Sequence, residues 1–325
     1  MTEGKKTQLF NDSREPVFPV TSATLVYDKD GITTIDRVLD NKANKNVVDN
    51  MLSDMENKAD KDIVDGILED MENKADSSDV VSKAYRSELL NEIGVKFIAH
   101  RGASWAAPEN TEAAFRLAKK LGFWAVECDV VLTSDGVWIV NHDYTIDRMT
   151  NGEGTVKDLT YNYIKNLIID AGNNVDVFSG QKVLTLEEFL ILCKELDIVP
   201  VIEVKSEGKW GEIKNLLTKY GMAEKVIIIS QVTYILTKLR EVLPYTKMQY
   251  VFSGDIDEAK CNFAKGIGNC DLDVDYTTLT DNGIALARAN GFKIGVWTVN
   301  DIENVRALAK KGVDYITSDI YTEVY

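Results

Sequence analysis

The sequence predicts an α/β chain: a (β/α)8 (TIM) barrel behind an N-terminal helical, self-associating stalk. Three observations carry this reading. Residues 94–325 alternate apolar, strand-like runs with amphipathic helical runs, the pattern of a mostly parallel sheet with helices outside. Residues 40–93 repeat a short motif at a spacing of 16 residues. Charged and titratable side chains interrupt several of the apolar runs, where packing alone gives them no place.

In chain order, residues 1–39 come first. Pro19-Val-Thr21 precedes the run Ala23–Tyr27, an aspartate/glycine turn at Asp28-Lys-Asp-Gly31, and a second run beginning at Ile32. The repeat follows, as Asn41-Lys-Ala-Asn44, Asn57-Lys-Ala-Asp60 and Asn73-Lys-Ala-Asp76. Apolar residues recur with it, Ile63, Val64, Ile67, Leu68 and Met71 falling at helical spacing. Such a stripe is too narrow to fold alone and is best covered by copies of itself, so a self-associating stalk is expected, with three strands. A helix–turn–helix unit is the alternative, since 16 residues is not a multiple of the heptad. A solvated flexible linker is the plainer reading of the same segment.

Beyond residue 94, strands are expected at 95–99, 124–131, 137–142, 199–204, 225–230, 247–252, 271–275, 293–299 and 314–317. Helices are expected at 111–121, 186–195, 211–219, 232–242, 278–290 and 301–311, with Asn110 as the cap of the first. Nine strands is one too many for the barrel. Thr133-Ser-Asp-Gly136 signals a hairpin, which makes the third a return strand and leaves eight. A doubly wound sheet is the runner-up, but it would usually carry a glycine-rich loop where His100-Arg101-Gly102 stands.

Composition limits the partners. The net charge is −15, from 37 basic and 52 acidic residues, which argues against nucleic acid and anionic membranes. No run is long enough to span a bilayer. The opening MTEGKKTQLFNDSREP lacks the apolar core of a secretory signal, so synthesis in a cytoplasm is expected. Cys128, Cys193, Cys261 and Cys270 have neither zinc spacing nor a disulfide pattern and read as buried thiols.

The chain has two histidines, His100 and His142, each inside a short charged run. Histidine titrates nearest neutrality and suits proton transfer. Glu127 and Asp129 are two apart, so on a strand both carboxylates face one side. Glu203 ends another strand. Three oxygen donors suit Ca2+ or Mg2+, and an acid/base pair around such a metal is the leading chemistry. A salt-bridge cluster with Arg101 and Lys205 is the alternative.

These residues lie within FIAHRGASWAAPENTEAAF, AVECDVVLTSDGVWIVNHDYTIDRMTNGEGTVKDLT, IEVK, WTVN and ITSD, in that order. Over 95–325 the chain is similar to the glycerophosphodiester phosphodiesterases. The resemblance implies a phosphoric diester hydrolase with Glu127, Asp129 and Glu203 as metal ligands and His100 and His142 as the general acid/base pair. It implies Arg101 and Lys205 on the phosphate, and Trp297 as an apolar wall for the glycerol carbons, a position where plain core is almost as frequent. The attacker it suggests is the substrate's own glycerol hydroxyl, through a cyclic phosphate. Residues 8–80 resemble the attachment segments of bacteriophage tail and baseplate proteins. Together these imply a homotrimeric tail enzyme, associated with tail or baseplate proteins and acting at the host cell surface. The expected substrate is a glycerophosphodiester, with poly(glycerol phosphate) of a teichoic acid as the natural polymer. A receptor-binding module with a non-catalytic barrel and a small-molecule glycerophosphodiesterase are the alternatives.

Overall fold

The computed structural model describes residues 26–28, 31–33 and 94–320. Strands β1 (Val26–Asp28) and β2 (Gly31–Thr33) form an antiparallel hairpin in which Asp28 pairs with Gly31, at the aspartate/glycine turn read in the sequence. The rest of the attachment-like segment 1–39 and the whole stalk 40–93, with its proposed trimer, lie outside the described residues.

The remaining chain closes into a barrel. β3 (Lys96–Ala99), β4 (Ala125–Leu132), β6 (Val199–Val204), β7 (Ile227–Ser230), β8 (Lys247–Phe252), β9 (Cys270–Asp275), β10 (Ile294–Trp297) and β11 (Tyr315–Ser318) all run parallel. β3 pairs with both β11 and β4, which closes the ring and rules out the doubly wound sheet. β5 (Trp138–Val140) runs back antiparallel to β4, outside the eight. Its turn is held by the Gly136 N–H donating to Thr133 O at 3.0 Å and by Thr133 Oγ1–H on Asp135 Oδ1 at 2.6 Å.

The helices are α1 (Glu112–Lys120), α2 (Tyr161–Ile164), α3 (Leu186–Glu195), α4 (Trp210–Tyr220), α5 (Thr233–Val242), α6 (Glu258–Ile267), α7 (Asp281–Ala289) and α8 (Ile302–Lys310). α6 has no counterpart in the sequence reading. Its buried face is Cys261, Ala264 and Ile267. α7 starts later than expected because Tyr276–Thr278 make a separate 3-10 turn and Thr280 caps the helix.

Asn110 does not cap α1. Thr111 does, its hydroxyl accepting from Ala114 N at 3.3 Å and donating to Pro108 O at 2.6 Å. Asn110 is left-handed (φ 58°), which turns its amide toward the barrel. Gly102 has φ 79°, and a Cβ there would lie 2.7 Å from Ala114, so only glycine lets this loop sit against α1.

Inside the barrel, Ile98, Ala125, Val201, Ile227, Ile229, Val251 and Tyr315 form one apolar cluster. Between strands and helices, Phe115 and Phe189 meet edge to face, centroids 4.8 Å apart. Ile146, Met149, Val156, Ile164, Leu167 and Ile169 make a second cluster with Val131 and Ile139, so the excursion after β5 is packed onto the barrel rather than left as a loose loop. Thr111→Ala removes the cap of α1 and the tie to Pro108. It is expected to lower the unfolding free energy by about 1 kcal/mol, measured by urea titration.

Candidate active site

The site is built where β4 and β6 run side by side. Glu127 and Asp129 share the inward face of β4, and the register sets Asp129 level with Glu203 of β6. One carboxylate oxygen from each of the three lies within 4.8 Å of the others. Glu127 and Asp129 are buried, so like charges are packed together out of water. Burial, then the charges of Asp129 and Glu203, push the Glu127 carboxyl well above the ordinary range. Burial likewise raises Glu203, against the pull of Lys205. Asp129 goes the other way: burial would raise it, but Lys205 and Arg101 hold it below its usual value.

Cationic and donor groups converge on this cluster. Lys205 Nζ is 3.1 Å from Asp129 Oδ1 and 3.9 Å from Glu203 Oε2. Arg101 Nε is 3.4 Å from Asp129 Oδ2, to which the Asn110 amide donates at 3.0 Å. The Arg101 backbone N–H donates to Glu127 Oε2 at 2.9 Å. That last bond needs the left-handed backbone of Arg101 (φ 56°), a conformation that costs free energy and gathers at functional sites.

The salt-bridge cluster considered from sequence is therefore present, but it is incomplete. It satisfies Asp129 and leaves Glu127 and Glu203 elevated. An all-oxygen, mutually repelling set of carboxylates fits a hard divalent cation, which would draw Glu127 and Glu203 back to the ionised form.

Both histidines reach the same cleft. His100 follows β3, and its N–H donates to Ser318 O of β11 at 2.9 Å. Its Nδ1 lies 2.6 Å from Asp319 Oδ1, and Asn300 donates to the other oxygen of Asp319 at 2.6 Å. His142 follows β5, with Nδ1 2.6 Å from Asp143 Oδ1. Asp143 accepts from Arg148 Nε at 2.6 Å, and Arg148 also reaches Glu109 at 2.6 Å. Glu109 in turn accepts from Arg101 at 3.1 Å, so one chain of charges links His142 to the carboxylates. Burial lowers the His142 pKa, against the Asp129 charge and the Asp143 bond.

The cleft, about 170 Å³, is lined by His100, Arg101, Glu127, His142, Glu203 and Trp297 among others. Of the sequence-predicted residues, Asp129 and Lys205 are not among its lining and are bonded to each other. Trp297 ends β10, and its Nε1–H points to Asp273 O at 3.4 Å. Cys128 faces away from the carboxylates and is a buried free thiol.

Three residues were not singled out from sequence. Asp319, within the ITSD run, carries the orienting role for His100 that Asp143 has for His142. Arg148 stands in a loop, where no periodicity marks it. Asp273 lines the cleft from β9, and burial, with the charge of Glu203 adding, pushes its pKa up to about 7.

The glycerophosphoryl diester phosphodiesterase family profile matches residues 100–322. A glycerophosphodiester phosphodiesterase of Caldanaerobacter subterraneus is 36% identical over 228 residues, 68% of this chain and 93% of that protein. The crystal structure of the Agrobacterium tumefaciens glycerophosphodiester phosphodiesterase superposes with a TM-score of 0.61 at 30% identity, covering 70% of this chain and 96% of the other. An Oleispira antarctica phosphodiesterase, solved with the product sn-glycerol-3-phosphate, superposes with a TM-score of 0.62 at 25% identity over 69% of this chain and 92% of the other.

Millimolar Ca2+ or Mg2+ is expected to raise the melting temperature of the protein, because binding to the folded state alone stabilises it. Glu203→Gln should blunt that shift. An equal shift in the variant would place metal binding elsewhere.

Proposed function

Because the chain belongs to the glycerophosphoryl diester phosphodiesterase family and is a phosphoric diester hydrolase, we propose that its barrel cleaves glycerol-phosphate diesters by acid/base catalysis between His100 and His142. The observation that carries this is the matched pair of dyads. Each histidine has Nδ1 pinned to a carboxylate at 2.6 Å, and each lines the cleft beside the carboxylate cluster. Pinning Nδ1 leaves Nε2 for the substrate and fixes the tautomer that exchanges a proton there.

One histidine takes the proton of the attacking hydroxyl as its oxygen bonds to phosphorus. The other gives a proton to the departing alkoxide as the second P–O bond breaks. The attacker is the hydroxyl of the glycerol unit, and water then opens the cyclic phosphate with the roles exchanged. Arg101 holds a phosphate oxygen in its fork, and Lys205 supplies positive charge. Glu127, Asp129 and Glu203 would hold a divalent cation, which supplies Lewis-acid stabilisation of the phosphate charge. Trp297 covers the glycerol carbons.

The N-terminal sequence supports placing this enzyme on a bacteriophage tail, made in the host cytoplasm and acting at the host surface on a glycerol-phosphate teichoic acid. The repeat supports a trimeric stalk over 40–93 between an attachment segment at 1–39 and the catalytic domain at 94–325. Sedimentation of the full chain tests this directly: a trimer is expected, and a monomer returns the protein to the small-molecule phosphodiesterases.

The test of function is hydrolysis of glycerophosphocholine and of poly(glycerol phosphate), with Ca2+ or Mg2+ and with EDTA. EDTA-sensitive cleavage of both is expected. Cleavage of the small diester alone would remove the polymer, and cleavage of neither would leave an adhesion module. His100→Ala and His142→Ala should each lower kcat by about 10²–10⁴-fold. Asp319→Asn should lower kcat less than His100→Ala, since it disturbs the histidine's orientation and leaves it in place.

A further inference from the structure

One titratable group in the cleft, Asp273, has no part in the chemistry above. Asp273 lies on β9, the strand four places from β4 in either direction round the ring, so it faces the carboxylate cluster from the opposite wall. Its side chain is 4% exposed and lines the cleft. Oδ1 is buried with no hydrogen-bond partner among the described residues. A carboxyl group placed so, without a partner, carries a desolvation penalty that folding alone does not explain.

Its surroundings are shaped for it. Gly295 of β10 pairs with Asp273 across the strands, and a Cβ at Gly295 would come within 2.6 Å of Oδ1. The backbone at Gly295 is ordinary extended strand, so glycine is needed there for space and not for conformation. Two residues on, Trp297 occupies the same face of β10 and is tied to the Asp273 carbonyl at 3.4 Å. The wall opposite the carboxylates is thus an indole beside a hydrogen-bonding carboxyl. That is the complement of a polyol: carbons on the ring, a hydroxyl on the acid.

Resting on the functional reading above, we propose that Asp273 is a specificity residue that accepts the terminal hydroxyl of the glycerol unit, the one farthest from the phosphate. The phosphate is held on the β4 and β6 side by Arg101. The glycerol then extends across the cleft, and its far end meets Asp273. The hydroxyl supplies the partner that Oδ1 lacks. A diester whose glycerol has no free hydroxyl at that end leaves the carboxyl unpaired.

The test compares kcat/KM for glycerophosphocholine with that for the propane-1,2-diol analogue, which keeps the secondary hydroxyl and lacks only the terminal one. The wild-type protein with Mg2+ or Ca2+ is expected to favour glycerophosphocholine by about 10- to 100-fold, the range for a hydrogen bond to a charged group. Asp273→Leu, close in shape but unable to accept, should reduce that preference to near unity. Gly295→Ala should reduce it too, because the added methyl displaces the carboxyl while keeping its charge; this variant answers the question if Asp273→Leu fails to fold. Equal turnover of the two diesters by wild-type protein, or a preference that survives both substitutions, would overturn the assignment. Hydrolysis of neither diester would overturn the functional reading itself, and this inference with it.

Discussion

The crowding of Glu127, Asp129 and Glu203 inside the barrel is the constraint on which the rest of the site depends. Isolated buried charges are costly, and like charges side by side more so. The strand register forces the crowding, since Asp129 and Glu203 are paired residues on neighbouring strands. Almost every unusual feature nearby answers it. The left-handed backbones of Arg101 and Asn110 turn an N–H toward Glu127 and an amide toward Asp129. The glycine at 102 lets the loop carrying both lie against α1. The strain and the close packing of this loop have one physical purpose, which is to bring donors to carboxylates that packing has isolated.

The arrangement extends outward through a second set of charges. Arg101 is shared between Asp129 and Glu109, and Glu109 between Arg101 and Arg148. Arg148 ends the series on Asp143, which holds His142. The excursion after β5 supplies Asp143 and Arg148, and its own apolar cluster anchors it. A loop that floated free could not hold a histidine against a barrel strand. The packing of Ile146, Met149 and Ile164 is therefore part of how His142 is positioned, although none of them lines the cleft.

Periodicity made the barrel legible in the sequence. Each of the nine strands is found, because buried parallel strands are continuous apolar runs, and the hairpin turn at Thr133–Gly136 separated the return strand from the eight. The helix Glu258–Ile267 was not read from the sequence, although Cys261, Ala264 and Ile267 mark one buried face at near-helical spacing. The carboxylate triad was legible because alternation on a strand decides facing. Its partners were harder. Asn110 has the composition of a helix cap and sits next to one, and only the observed backbone shows that Thr111 holds the cap while Asn110 turns inward. Asp319 and Arg148 act across long sequence separations, and no local pattern encodes them. Asp273 alternates with Leu272 and Val274, in line with Asp271 and Asp275, so its facing was legible from spacing and its burial in the cleft was not.

The charge balance bears on how an acidic protein handles an anionic diester. Three carboxylates face two basic side chains, Arg101 and Lys205, so the cluster carries an excess of negative charge when fully ionised. A phosphodiester adds another. Two routes restore balance: a proton on Glu127 or Glu203, both of which are raised by burial, or a divalent cation between them. The proton only neutralises; the cation neutralises and leaves positive charge over for the phosphate. Arg101 and Lys205 are already committed to Asp129, so neither alone offers an uncompensated charge. A divalent cation held by Glu127, Asp129 and Glu203 would share Asp129 and so would loosen its hold on Arg101 and Lys205. The carboxylates that would repel a phosphodiester on their own would, with a cation between them, leave net positive charge facing it.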